Sequence, residues 1–131
     1  MADLNEVIKT SEVIIHKGRY AYLQGEEKEI KNHFLISKDK DEITIVTEEA
    51  NISSVNFKKE VKWFKLFEIR VSMPFLAKGF LAKVTKTVSD ENLNVLVVST
   101  FSKDYILVRE ETFETASNAL KKVGFPVIFE D

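Results

Sequence analysis

Residues Asn94 to Glu111 read NVLVVSTFSKDYILVREE, two short apolar runs rich in β-branched side chains on either side of a polar knot. Neither run is long enough for a helix, and the loop between them suits an antiparallel hairpin. A hairpin here decides the fold, because helical patterns stand on both sides of it. Upstream, GFLAKVTKTVSDENL repeats Phe80, Val84 and Val88 every four residues with Leu81 beside them, the stripe of a helix packed on something apolar. Downstream, TFETASNALKKVGF puts Phe113, Ala116, Leu120 and Val123 on one stripe, with Thr112 at the N-cap position, Lys121 and Lys122 in the last turn and Gly124 just past the end. Before the first helix, LFEIRVSM alternates Phe67, Ile69, Val71 and Met73 with Glu68, Arg70 and Ser72, the period of a half-buried strand, which Pro74 ends. A closing PVIF completes the order β-α-β-β-α-β. Two parallel crossovers of the preferred hand fold that order into an antiparallel sheet with both helices on one face.

The first half is less regular. EVIIH, RYAYL, HFLIS and EITIVT read as strands, with the acidic turn KDKDE between the last two, and EEANISSV offers one short helix. No linker rich in Pro, Gly or Ser separates the halves, and the strand around Trp63 runs straight into the second. The two parts are therefore expected to share an interface and unfold together.

Composition narrows the function. With 131 residues, 44% hydrophobic and 31% charged, the chain has the profile of a soluble globular protein of one domain or two small subdomains. The absence of cysteine rules out disulfides, thiol nucleophiles and cysteine metal sites and fits a reducing cytoplasm. Asp3 and Glu6 stand where an export signal needs positive charge, and no segment reaches the roughly 18 apolar residues of a membrane span, so a cytoplasmic location without membrane insertion is expected. A net charge of -2 argues against a general polyanion binder. Lys58, Lys59, Lys62 and Lys65 alternate with Glu60, Val61, Trp63 and Phe64 and read as a solvated strand face.

Specific chemistry is sparse. KGFLAKV begins like an RNA-recognition strand, but Leu81 stands where Gly or Ala is required and the string opens a helix, so no nucleic-acid role is expected. His16 and His33 are lone residues in strand patterns, and no metal or cofactor is implied. The pairs Glu26-Glu27, Glu48-Glu49 and Glu110-Glu111 read as solvated turns and helix starts. There is no G-x-S-x-G and no P-loop, and an enzyme is not expected.

The order of elements combines with particular strings: HKGRYAYL, DEITIVTEE, W-F-K-L before a strand, KGFLAKVTKTV, NVLVVSTFSKDYILV and ETASNALKKVGF. Together, from about His16 to Phe125, they resemble the small tandem ACT-domain proteins related to the regulatory modules of aspartate kinases and to the animal cytosolic arginine sensor. The resemblance implies an α+β fold of two ACT-like, ferredoxin-like β-α-β-β-α-β subdomains. The first would be degenerate and β-rich (12–65), the second an ACT subdomain (66–131). It also implies a non-catalytic, homodimeric regulatory protein that binds an amino acid and signals to a protein partner. The rival reading is a self-associating structural or interaction module whose pocket is vestigial.

The resemblance places the ligand where the start of the second subdomain's first helix meets the hairpin, at Gly79, Phe80, Leu81, Thr100, Phe101 and Asp104. Gly79 leaves backbone N–H groups open to a carboxylate at the positive end of the helix dipole. Asp104 stands to face an ammonium or guanidinium group, with Ser99 and Thr100 supplying hydroxyls and Phe101 a wall, although aspartate and serine are also turn formers in their own right. Where relatives often carry Gly-Pro after the first strand, this chain has Val71 and Ser72, and Lys78 precedes the helix-opening glycine with a charge expected near the pocket mouth.

Overall fold

The computed structural model describes residues 3–26, 33–74 and 76–131. Glu27, half of one acidic pair read from the sequence, lies outside them. The secondary structure is α+β, with helices α1 (Leu4–Lys9), α2 (Phe80–Ser89) and α3 (Phe113–Lys122). The strands are β1 (Glu12–Ile15), β2 (Tyr20–Gly25), β3 (Leu35–Lys38), β4 (Ile43–Glu48), β5 (Phe57–Arg70), β6 (Leu96–Ser99), β7 (Asp104–Arg109) and β8 (Val127–Phe129). The chain groups into two compact units: the N-terminal segment up to Lys17 together with Lys65–Asp131, and the inserted segment Gly18–Phe64.

The unit that contains Lys65–Asp131 holds the β-α-β-β-α-β elements, β5-α2-β6-β7-α3-β8. Its strands lie in the order β6-β7-β5-β1-β8. Strand β8 does not lie against β5. Strand β1 stands between them, antiparallel to β5 (Ile15 opposite Phe67) and parallel to β8 (Ile14 opposite Ile128). EVIIH, read with the first subdomain, is therefore built into the sheet of this unit. Periodicity identifies a strand and its buried face but not its neighbour, because Val13 and Ile15 satisfy any apolar layer equally well.

Both helices cover one face of that sheet. Val13, Ile15, Phe67, Ile69, Ile106 and Val108 from the strands meet Phe80, Val84 and Val88 of α2 and Ala116 and Leu120 of α3 in one core. Strand β5 stops at Arg70, short of the expected end at Pro74, so Val71 and Met73 belong to the loop that follows. Helix α3 ends as its sequence requires. Gly124 takes φ +113°, its N–H reaches the Lys121 carbonyl and the Phe125 N–H reaches that of Leu120, so the last carbonyls are satisfied while Phe125 turns into the core against Phe80. Thr112 stands at the N-cap without a side-chain capping bond.

Helix α1 has no counterpart in the sequence reading. Its Val7 and Ile8 enter the same core, and Asp3 caps it by accepting from the Asn5 N–H. Two buried positions in six residues are too few to show a period.

The inserted unit pairs its strands in the order β3-β4-β2-β5, all antiparallel. Ala21, Leu23, Ile45 and Val55 form its core with Ile52, Phe57 and Trp63 packed against them. EEANISSV forms a short 3-10 helix over Glu49–Ser54. The Arg19 guanidinium stacks 4.2 Å from the Trp63 ring centroid and bonds the Glu49 carboxylate at 2.7 Å. Lys58, Lys59 and Lys62 are exposed, whereas Lys65 is half-buried with its ammonium 5.6 Å from the Phe113 ring centroid, and burial lowers its pKa.

Candidate functional site

A hollow of about 250 Å³ opens where the chain leaves β5, enters α2 and passes the β6–β7 hairpin. Val71, Ala77, Phe80 and Leu81 make its apolar side, Met73 and Pro74 extend that side along the loop, and Ser99–Asp104 make the opposite rim. The rim is braced by its own residues. Ser99 and Asp104 are opposite one another in the ladder, and the Ser99 hydroxyl donates to Asp104 Oδ1 at 2.8 Å. The Thr100 N–H and hydroxyl both donate to the Lys103 carbonyl, at 2.9 and 3.3 Å. The polar knot thus closes the hairpin with its own side chains, and Phe101 at the tip is left 86% exposed.

Five of the six residues expected to form a site, Phe80, Leu81, Thr100, Phe101 and Asp104, line this hollow. Gly79 does not. It is the N-cap of α2 at φ +81°, and a β-carbon there would meet no protein atom within 4 Å, so within the protein the left-handed backbone is what calls for glycine. The Phe80 N–H is taken by the Ala77 carbonyl. Lys78 is exposed and outside the lining. The cation of the lining is Lys103, which the sequence reading passed over. The loop position was its only local signal, and what distinguishes it is a partner 35 residues upstream in the chain.

That partner is Glu68 on β5, whose side chain is 7% exposed. Its Oε1 lies 2.9 Å from His16 Nε2, and its Oε2 accepts from Arg70 Nε at 2.8 Å and lies 3.7 Å from the Lys103 ammonium. Burial raises the Glu68 pKa, but the hydrogen bonds from Arg70 and His16 and the charges of Lys103 and Arg70 outweigh it and hold the carboxyl below its ordinary value. His16 presents its other ring nitrogen to Glu130 at 3.4 Å, and Glu130 also accepts the Lys17 N–H. In the inserted unit, His33 Nδ1 is 2.9 Å from the Thr47 hydroxyl. Among the described residues no cluster of histidine and carboxylates is arranged to hold a metal ion, and no helix is long and apolar enough to cross a membrane.

The family profile of the ACT domain matches residues 62–122, from within β5 to the end of α3. That segment is similar to the ACT domain. Helices α2 and α3 and the β6–β7 hairpin, with β5, have an ACT-like arrangement. Solved structures with this fold include a protein of Agrobacterium tumefaciens, 23% identical with a TM-score of 0.78 over 92% of this chain and 94% of that one. A Vibrio cholerae protein of unknown function, described as a possible transport protein, is 16% identical with a TM-score of 0.77 over 92% of this chain and 95% of that one. The ligand-free regulatory subunit of aspartate kinase from Thermus thermophilus is 8% identical with a TM-score of 0.63, over 85% of this chain and 95% of that one. At these identities the likeness is one of fold. A search of the curated proteins finds no match to the chain.

Proposed function

We propose that this ACT-domain protein is a non-catalytic, cytoplasmic sensor that binds an amino acid in the hollow between α2 and the β6–β7 hairpin and passes the change to a protein partner. One observation carries the reading: a single small concavity collects an apolar wall, an ammonium from Lys103 and a carboxylate from Asp104. That is the complement of a zwitterion with a modest side chain, and the volume suits a molecule of amino-acid size. Regulatory subunits among the structural neighbours support the same class.

The test is thermal stability against each of the twenty standard amino acids. A ligand held only by the folded state at about 100 times its dissociation constant adds roughly 2.7 kcal/mol. The expected outcome is that at least one amino acid raises the melting temperature by several degrees, and a flat response across the set refutes the reading.

The rival reading, an interaction module with a vestigial pocket, draws on the large apolar side chains left exposed beside the hollow, Phe101 and Leu76, the latter 60% exposed. Both readings include a homodimer, since the open sheet edges need cover. Light scattering at tens of micromolar that returned a strict monomer would count against both.

A further inference from the structure

Lys103 belongs to two places at once, the lining of the hollow and the ion cluster around Glu68. The cluster is not solvated decoration. A carboxylate 7% exposed needs its charge compensated, and Arg70 and His16 already bond it at 2.8 and 2.9 Å. Arg70 is itself shared with Glu12 at 4.0 Å, and His16 with Glu130 at 3.4 Å. Lys103 is the member with the longest contact to Glu68, 3.7 Å, and its side chain is 39% exposed. It is the member that can leave without stranding a buried charge.

We propose that Glu68 is the positioning residue of the site: its buried carboxylate holds the Lys103 ammonium at the rim, and the anionic group of a ligand reaches that ammonium only in competition with Glu68. The inference rests on reading the hollow as the binding site, and it assigns the charge discrimination of that site to a residue that does not line it. The ligand class follows. The anionic group must be compact and fully charged, as a carboxylate is, to compete with a buried carboxylate already bonded to Arg70 and His16. Neutral amides of the same molecules lack what draws Lys103 across.

Two measurements test it, one without any ligand. Limiting amine acylation followed by peptide mass spectrometry reads the availability of Lys103, with exposed Lys78 and Lys122 as internal references. Glu68→Gln should raise labelling of Lys103 about fivefold relative to the references; equal labelling in the two proteins overturns the proposal. Glu68→Asp keeps the buried charge but shortens its reach, lengthening a contact to Lys103 that is already 3.7 Å. It should give the same change in smaller measure and serves if Glu68→Gln does not fold. In calorimetry, an amino acid that binds the wild type should bind Glu68→Gln about fivefold more tightly and Lys103→Met more weakly, and Glu68→Gln should have no effect in the Lys103→Met background. Unchanged affinity in Glu68→Gln also overturns it. If none of the standard amino acids binds any of these proteins, the ligand reading fails, and the labelling still decides whether Glu68 governs Lys103.

Discussion

Asp104 and Ser99 share one hydrogen bond, and single substitutions separate what each contributes. Ser99→Ala removes the side-chain bond across the two hairpin strands, whereas Asp104→Ala removes both that bond and the charge. If Asp104 meets the ammonium of a ligand, its loss costs about 1 to 3 kcal/mol of binding, and Ser99→Ala much less. Equal affinities by calorimetry in the two variants, with a lowered melting temperature in both, would reduce Asp104 to a turn residue. Gly79 gives a different expectation. Since its β-carbon position is open, Gly79→Val should destabilise the fold by about 1 to 2 kcal/mol through left-handed strain alone, and Gly79→Asn by less, because asparagine tolerates that backbone. Denaturant midpoints check the order Gly79, Asn, Val. Glu68 sets a pH dependence of stated sign. Its carboxyl is held below the ordinary value in the folded protein, so its stabilising contribution is complete above the unfolded value of about 4.3 and is lost as pH falls through the depressed folded value. The stability difference between wild type and Glu68→Gln should therefore shrink as acid is added below about pH 4. A gap that stayed constant would mean that the carboxylate charge is not what stabilises.

Between elements, the loop after β5 that borders the hollow is fastened by a serine. Ser11, wholly buried, donates its hydroxyl to the Val7 carbonyl at 2.6 Å and accepts the Ser72 N–H at 3.0 Å. Thr10 adds a hydroxyl contact to Ser72 at 2.8 Å. One side chain thus joins the last turn of α1 to the residue between Val71 and Met73 of the lining. Ser11→Ala leaves the Ser72 N–H without that acceptor and should cost about 1 to 3 kcal/mol. Hydrogen exchange should report the loss at Ser72 and in α1 ahead of the β5 core. Thr10→Val, which removes only the outer contact, is expected to cost less.

On the scale of the whole chain, the unit that contains Lys65–Asp131 is discontinuous. Strand β1 lies between β5 and β8 in its sheet, and residues 66–131 alone would lack it, leaving β8 without the neighbour it pairs with. That fragment is expected to be unfolded by circular dichroism. The antiparallel register brings Ile15 opposite Phe67, so Lys17 and Lys65 stand at the open end of a two-stranded pair. Replacing residues 18–64 by an Asn-Gly turn should close a hairpin there and restore a cooperative fold. A folded 66–131 fragment would show that β1 is dispensable.

Much of this unit was legible in its letters. The four-residue spacing of Phe80, Val84 and Val88 and the alternation around Phe67 and Ile69 dictate a helix and a strand with one buried face each, since water exclusion acts on any apolar stripe whatever it packs against. Gly124 marked the end of α3 because the left-handed residue that closes a helix is a local requirement. The polar knot of NVLVVSTFSKDYILVREE likewise declared a hairpin, and the structure shows the Ser99 and Asp104 side chains bonding across it. Tertiary structure alone decided what came to lie beside what. Strand β1 entered between β5 and β8, Ser11 took hold of Ser72, and Lys103 found Glu68. Each of these contacts joins groups 35 to 114 residues apart. Their energies depend on a distance that no local pattern encodes, and buried charge and hydrogen bonding are the interactions most sensitive to that distance.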